Sequence, residues 1–279
     1  MENKNKEIIS YLTELALDIR RRIINIAHNV KGEGIHLGGA LSSVEILAAL
    51  YGYVMNFNPD NPTDEDRDRF ILSKGHDCLV QYATLNAIGC ITDAEIKDNY
   101  LTDGGFLPTH TIKNLSKGIE CSSGSLGMGL SFATGKALAA KLNKKKYKVF
   151  TLLGDGECNE GSCWEAMMAA KQYKLDNLVM IIDKNQLQSD GTTKEIMNVD
   201  LFSGISAMGW KVVETDGHDI SAIVTYLKEL ISENNNLPVA IIANTIKGKG
   251  ISFMENNNMW HHGHLSNEQY EMAINELRV

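Results

Sequence analysis

Leu152-Leu153-Gly154-Asp155-Gly156-Glu157, followed downstream by Val179-Met180-Ile181-Ile182-Asp183-Lys184-Asn185-Gln186, are the two stretches that decide the fold. Each carries an apolar run of the length of a buried strand. Each then delivers a hard oxygen donor just past the strand end, a carboxylate at Asp155 and an amide carbonyl at Asn185. Donors of that kind suit Mg2+ or Ca2+. Gly154 and Gly156 let the backbone turn sharply and approach a ligand closely. A helix opening after Gly156 would aim free N–H groups at an anion. The pattern predicts a metal-bridged diphosphate at the C-terminal edge of a parallel sheet, where open α/β sheets bind their ligands. A Gly-Asp-Gly triplet alone is an ordinary turn. Here a strand precedes it, a helix follows, and a second strand ends in Asn at a βαβ-like distance.

The chain has 279 residues, 43% of them hydrophobic, enough for a large α/β core. Its net charge of −8 argues against a nucleic-acid footprint, which needs a basic face. Lys144-Lys145-Lys146 reads as a solvated helix end. Met1-Glu2-Asn3-Lys4 lacks the apolar core of a signal peptide, and no apolar stretch reaches membrane-spanning length. The five cysteines, Cys78, Cys90, Cys121, Cys158 and Cys163, are an odd count without zinc-like spacing, which predicts reduced thiols and a cytoplasmic setting. Cys158 and Cys163 read as packing residues.

Ile8 to Val30 spaces its apolar residues as an amphipathic helix, with Arg20-Arg21-Arg22 near the wet side and Lys31-Gly32-Glu33-Gly34 as the stop. Leu41 to Met55 reads as a second helix capped by Ser42 or Ser43. Strands are expected at Arg69–Ser73, Tyr147–Leu153, Leu178–Asp183, Trp210–Thr215 and Pro238–Thr245. Helices are expected at Cys78–Ile88, Leu130–Leu142, Gly161–Tyr173, Ile220–Ile231 and Asn267–Leu277. Thr102 to Ser125 is rich in Gly, Ser and Thr and reads as a loop, where functional residues concentrate. The Asn234–Asn236 and Asn256–Asn258 runs read as surface turns. Strands alternating with helices imply an α/β fold, a mostly parallel sheet with helices on both faces. With no repeat, low-complexity tract or linker, residues 1–279 read as a single diphosphate- and metal-binding domain.

Of eight histidines, His36, His76, His110 and His262 sit beside glycine or in loops, outside the helical pattern. Any one of them alone is an ordinary surface or capping histidine. Four together, in a chain with a diphosphate turn, point to a site. His28 reads as structural and His218, in Asp216-Gly217-His218-Asp219, as a turn residue. His261 and His264 flank His262 and leave open which of the three points inward.

Taken together these residues resemble the transketolase family, whose cofactor is thiamine diphosphate. Gly154-Asp155-Gly156 to Asn185 matches its thiamine diphosphate signature, with Lys184 where many relatives carry a first Asn. Glu160-Gly161 and Trp164-Glu165-Ala166 match the segment after the triplet. The likeness extends to Ile35-His36-Leu37-Gly38-Gly39, Leu72-Ser73-Lys74-Gly75-His76, Gly124-Ser125-Leu126-Gly127 and Trp260-His261-His262-Gly263, in order along nearly the whole chain. Ile35 stands where the family has Gly, and Thr111-Ile112-Lys113 replaces a His-Pro opening after His110.

The resemblance implies the thiamin diphosphate-binding fold and a set of roles. Asp155, Asn185 and the Leu187 carbonyl would hold Mg2+, with Ca2+ an alternative. Gly124, Ser125, Leu126, Gly154, Gly156 and Glu157 would line the cofactor, Leu126 by packing on it. His76 and His262 would approach the diphosphate or the reacting sugar, and His36 and His110 the hydroxyls of a ketose donor. Glu160, counted with the catalytic set, and Glu165 would lie toward a subunit contact. Histidine suits proton shuttling because its pKa lies near neutrality.

The implied function is transfer of a two-carbon ketol unit from a ketose (phosphate) to an aldose (phosphate). Alternatives are the α subunit of a 2-oxo-acid dehydrogenase, a deoxyxylulose-phosphate-synthase-like enzyme, or a non-catalytic binding subunit. Nothing in the chain matches the family's pyrimidine-activating glutamate or its phosphate-gripping arginines. The expectation is an N-terminal subunit of a split transketolase, inactive without a separate C-terminal subunit carrying the pyrimidine-binding domain, in a heterotetramer (α2β2).

Overall fold

In the computed structural model, which describes residues 2–30, 34–232 and 236–278, five strands form one all-parallel sheet. In chain order the elements are α1 (Glu2–Asn29), α2 (Gly38–Ser42), α3 (Val44–Ala49), β1 (Arg69–Leu72), α4 (Cys78–Ala87), α5 (Asp93–Asn99), α6 (Met128–Leu142), β2 (Val149–Gly154), α7 (Gly161–Gln172), β3 (Leu178–Lys184), α8 (Thr193–Ile196), α9 (Leu201–Ala207), β4 (Lys211–Asp216), α10 (Ile220–Ser232), β5 (Val239–Asn244) and α11 (Asn267–Glu276). The strand order is β1-β2-β3-β5-β4.

The period of two along each strand sorts side chains onto two cores. Phe150, Leu152, Val179, Ile181, Val239 and Ile241 enter one core, shared with α1, α3, α4 and α10. Val149, Leu153, Met180, Ile182, Ala240 and Ile242 enter the other, shared with α6, α7 and α9. Both faces are covered, which is why β3 and β5 open as unbroken apolar runs rather than alternating ones and β2 is interrupted only by the buried Thr151. All five cysteines are buried free thiols. No helix among the described residues is long and apolar enough to cross a membrane.

Several expectations need correction. Leu41–Met55 is not one helix. The chain breaks at Ser43 (φ −102°, ψ 5°), and α3 ends in a wider turn, Leu50–Val54, closed by Met55 N–H to Leu50 O at 2.8 Å. Ser43 stands at the N-cap position of α3, but its side chain makes no capping bond; the hydroxyls of Ser42 and Ser43 both turn to Gly39 O and to the Asp183 carboxylate. Arg20 is buried, not wet, because its guanidinium pairs with Glu45 at 2.7 Å and donates to Lys249 O at 3.0 Å. After Gly156 comes a short 3-10 turn to Asn159, and the α-helix begins only at Gly161.

Lys31, Gly32 and Glu33 of the expected helix stop, and Asn234 and Asn235 of one asparagine run, lie outside the described residues. In the other run, Asn256 N–H donates to Lys247 O at 2.9 Å and Asn258 Nδ2 to Ser189 O at 2.8 Å, so it clips two loops together.

Candidate functional site

Four of the five strands deliver their chemistry at one edge. Ser73 and Lys74 follow β1, Asp155 follows β2, Asn185 follows β3, and Thr245 to Lys247 follow β5. Beneath that edge lies a buried charge cluster. Lys74 is about as buried as any core leucine, and its ammonium pairs with Asp77 at 2.6 Å and with Asp183. Asp183 also accepts from Ser42 at 2.6 Å, from Asn185 Nδ2 at 2.9 Å and from Thr245. Burial alone would raise the Asp77 pKa, but Lys74 overrides it and brings it down to about 2. Buried charges persist only when paired and hydrogen-bonded. Asp183 meets both conditions and ties β1, β3, β5 and α2 together, whereas Asp77 has its ion pair with Lys74 and no further hydrogen bond among the described residues.

Above it stands the oxygen-donor loop. Asp155 accepts from Gly156 N–H at 2.8 Å and from Gln186 N–H at 2.7 Å, which sets its carboxylate against the turn after Asn185. Gln186 holds φ at +64°, the left-handed region that a non-glycine residue seldom adopts. Asn185 gives its Nδ2 to Asp183 and its Oδ1 accepts from Leu187 N–H at 3.1 Å, so its amide orientation is fixed. Burial, then the neighbouring Asp183, pushes the Asp155 carboxyl up to about 6.

Lys247 reaches in from the far side. Its Nζ donates to Leu187 O at 3.2 Å and to Gln188 O at 3.0 Å, which marks the Leu187 carbonyl as facing a cation. Among the described residues no three His, Cys, Asp or Glu side chains assemble around a metal position. The candidate set is of another kind, one carboxylate with an amide and a peptide oxygen. A hard divalent cation fits those donors.

The histidines gather beside this loop. The His36 ring centroid lies 5.2 Å from His76, 6.0 Å from His110, 5.2 Å from His261 and 4.8 Å from His262. Remote segments meet because Ile35 and Gly263 form a two-way backbone bridge, at 2.8 and 3.0 Å. Gly34 leaves room for the His262 ring, since a Cβ there would come within 2.7 Å of it. Ile35, in the place of the family's glycine, is buried, so its side chain packs away from the site. His261, which the sequence leaves undecided, also turns inward, its Nδ1 3.1 Å from Lys247 Nζ. Burial, then His76, holds His36 down to about 3; burial, then Lys247, holds His261 down to about 4; burial also lowers His76.

Gly124, Ser125 and Leu126 form an exposed rim beside His110, whose ring lies 3.5 Å from where a Gly124 Cβ would be. Glu157 departs from expectation. Its carboxylate is buried and turned inward, accepting from Ser73, from Gly127 N–H at 2.8 Å and from Gly154 N–H at 3.1 Å. It positions the rim and the Gly154 turn rather than facing the cleft. Glu160 and Glu165 are exposed, away from the cluster's hydrogen bonds. His28 stacks on Tyr270 at 3.9 Å, as a structural histidine would. Sequence reasoning alone does not single out Lys74, Asp77, Lys247 or His261 as members of the site. A signal for Lys247 exists: it lies in Thr245-Ile246-Lys247-Gly248, at the same sheet edge as Asp155.

Residues 6–277 match the family model described as transketolase, thiamine diphosphate binding domain. The chain is 44% identical over 259 residues to one of the subunits of an apulose-4-phosphate transketolase from Phocaeicola vulgatus, covering 92% of this chain and 90% of that one. It is 40% identical over 243 residues to a 6-deoxy-6-sulfo-D-fructose transketolase subunit from a Clostridium species, covering 87% and 88%. Among solved structures, transketolase from Leishmania mexicana superposes with a TM-score of 0.87 at 27% identity, over 95% of this chain and 41% of that one. The chain thus spans about two fifths of that longer transketolase and nearly the whole of the relatives named as subunits.

Proposed function

This chain belongs to the transketolase family, as its thiamine diphosphate-binding domain, and on that premise we propose that it works as the diphosphate-holding subunit of a two-chain transketolase. The observation that carries the reading is one edge of one sheet. There the Asp155, Asn185 and Leu187 oxygens stand next to the ring cluster of His36, His76, His110, His261 and His262. Asp155, Asn185 and the Leu187 carbonyl would hold Mg2+, and the Gly154–Gly156 turn and the Gly124–Leu126 rim would receive the cofactor. Thiamine diphosphate supplies the electron sink that two-carbon transfer between carbonyls requires.

The chain's own residues do the rest. His36 and His261, kept neutral by burial, hydrogen-bond sugar hydroxyls without adding charge. His262, the exposed member, and His110, on the rim, exchange protons with substrate oxygens. Lys247 supplies a fixed positive charge beside the Leu187 carbonyl, complementary to an anionic cofactor. The substrates are a ketose donor and an aldose acceptor. The relatives' names, with a 4-phosphate and a 6-sulfo group, favour a donor bearing an anion at its far end. The partner is a separate subunit that binds the pyrimidine end of the cofactor, in a heterotetramer with two copies of each chain and Glu160 and Glu165 near a subunit contact. A large, rather apolar interface is expected of such an obligate assembly.

The test is to assay two-carbon transfer with thiamine diphosphate and Mg2+, for the chain alone and with its co-expressed partner. Transfer only in the presence of both chains is expected. Asp155→Ala should abolish cofactor binding with the fold intact, and Asn185→Ala should weaken it less, a neutral carbonyl being the poorer ligand. Full activity of the chain alone, or unchanged calorimetric affinity in Asp155→Ala, would refute the proposal. An assembly that binds cofactor but transfers nothing would mark a non-catalytic binding subunit.

A further inference from the structure

We propose that His218 is a positioning residue that clamps the loop carrying Lys247 and thereby shapes the cation- and diphosphate-binding edge; the inference rests on the reading of that edge given above. His218 follows β4 in the turn Asp216-Gly217-His218. Asp216 Oδ1 accepts from His218 N–H at 2.8 Å, and Gly217 N–H donates to Asn244 O at 2.7 Å. Gly217 lies so close to Thr245 that any Cβ would overlap its methyl group, which lays the turn directly on the end of β5.

The ring then reaches both ways. Its Nε2 accepts the Ile246 N–H at 2.8 Å. That nitrogen is therefore unprotonated, and Nδ1 is the donor, to Glu45 Oε2 at 3.0 Å. Glu45 is held by Arg20 at 2.7 Å, and Arg20 Nε returns to Lys249 O at 3.0 Å. The chain Ile246–His218–Glu45–Arg20–Lys249 is a closed clasp that pins the backbone on both sides of Lys247-Gly248 to α1 and α3. From inside the clasp Lys247 sends its ammonium to Leu187 O, Gln188 O and His261.

The clasp needs an acceptor at the Nε2 position and tolerates no extra charge there. Glutamine can place an amide oxygen at that point, whereas asparagine is too short and covers only the Nδ1 side. The experiment compares His218→Ala, His218→Asn and His218→Gln in the complex formed with the second chain. It reads amide exchange at Ile246, calorimetric affinity for thiamine diphosphate with Mg2+, and the separate effects on kcat and KM.

Alanine and asparagine are expected to expose the Ile246 amide to exchange and to weaken cofactor affinity about 10- to 100-fold, the usual effect of removing a group that orients a ligand. Glutamine is expected to restore protection and most of the affinity. A His218→Ala complex that binds cofactor like its parent, or a glutamine variant no better than asparagine, would overturn this inference alone. A parent complex with no affinity for thiamine diphosphate would overturn both this inference and the proposed function. Should the alanine variant fail to assemble, the glutamine–asparagine comparison decides.

Discussion

Replacing Glu157 tests whether the cleft's rim is held from below. The carboxylate is buried and accepts three donors: the Ser73 hydroxyl, Gly127 N–H at 2.8 Å and Gly154 N–H at 3.1 Å. Alanine would orphan both backbone donors, each costing about 1–3 kcal/mol when left buried and unpaired. The Ser73 hydroxyl can rotate to another acceptor and adds less. Against this, burial raises the Glu157 pKa, so removing the charge returns part of the cost. The net expectation for Glu157→Ala is a loss of about 2–4 kcal/mol. Glu157→Gln keeps one oxygen for Gly127 and Ser73 but turns an NH2 toward Gly154 N–H, for a loss of about 1–3 kcal/mol. Urea unfolding of the purified chain measures both, with the slope checked so that only the midpoint is compared. If both variants fall within about 0.5 kcal/mol of the parent, the range of inconsequential surface changes, the latch argument fails.

Lys74→Met should cost about 3–5 kcal/mol, because it leaves the Asp77 and Asp183 carboxylates buried without their cation; a parent-like thermal midpoint would contradict this. His36 is held at about 3 and His261 at about 4, both below the ordinary 6.5, so the stability linked to them is complete above about 6.5 and drains away as pH falls toward 4 and 3. Replacing both with asparagine should flatten the acid limb of a stability–pH profile, and an unchanged limb would remove the argument. Gly34→Ala pushes a methyl into the His262 ring, which lies 2.7 Å from its Cβ position, so turnover should fall while thiamine diphosphate affinity holds; equal losses in both would show a general disturbance instead.

The layered sheet is legible in the sequence because strands buried on both faces must be apolar on both faces; Leu178–Ile182 and Val239–Ala243 are, and Val149–Leu153 departs only at Thr151. Elements too short for a period to show are harder to see. α5 and α8 are of this kind, although each opens with a reciprocal cap, Thr92 with Glu95 and Thr192 with Glu195, a signature that a closer look at the sequence can find. Arg20 defies its pattern, since an arginine triplet on a helix is usually wet. Its burial depends on Glu45 and the Lys249 carbonyl, partners that only the folded chain brings together. His218 hides its role for the same reason. The turn expected of it is real, but both ring nitrogens are committed to groups remote in sequence.

The oxygen donors can be located from the sequence because metal chemistry fixes residue type and strand topology fixes place. The histidines can be located but their electrostatics cannot. A pKa near neutrality is a property of an isolated imidazole, and the expectation of proton shuttling depends on it. In the folded chain five rings crowd within about 6 Å of His36 or of one another, over the buried Lys74 and beside Lys247. Each added proton would meet desolvation and like charge, and His36 ends near 3. A base that weak is a poor proton acceptor at neutral pH, since efficiency peaks when pKa matches the working pH. In the proposed function its value would be as a neutral ring packed among the other histidines, able to hydrogen-bond a hydroxyl without repelling the cations next to it. The division of labour in that proposal follows burial: the enclosed His36 and His261 rings would hold the substrate, and the exposed His262, where a second chain would close the cleft, would carry the protons.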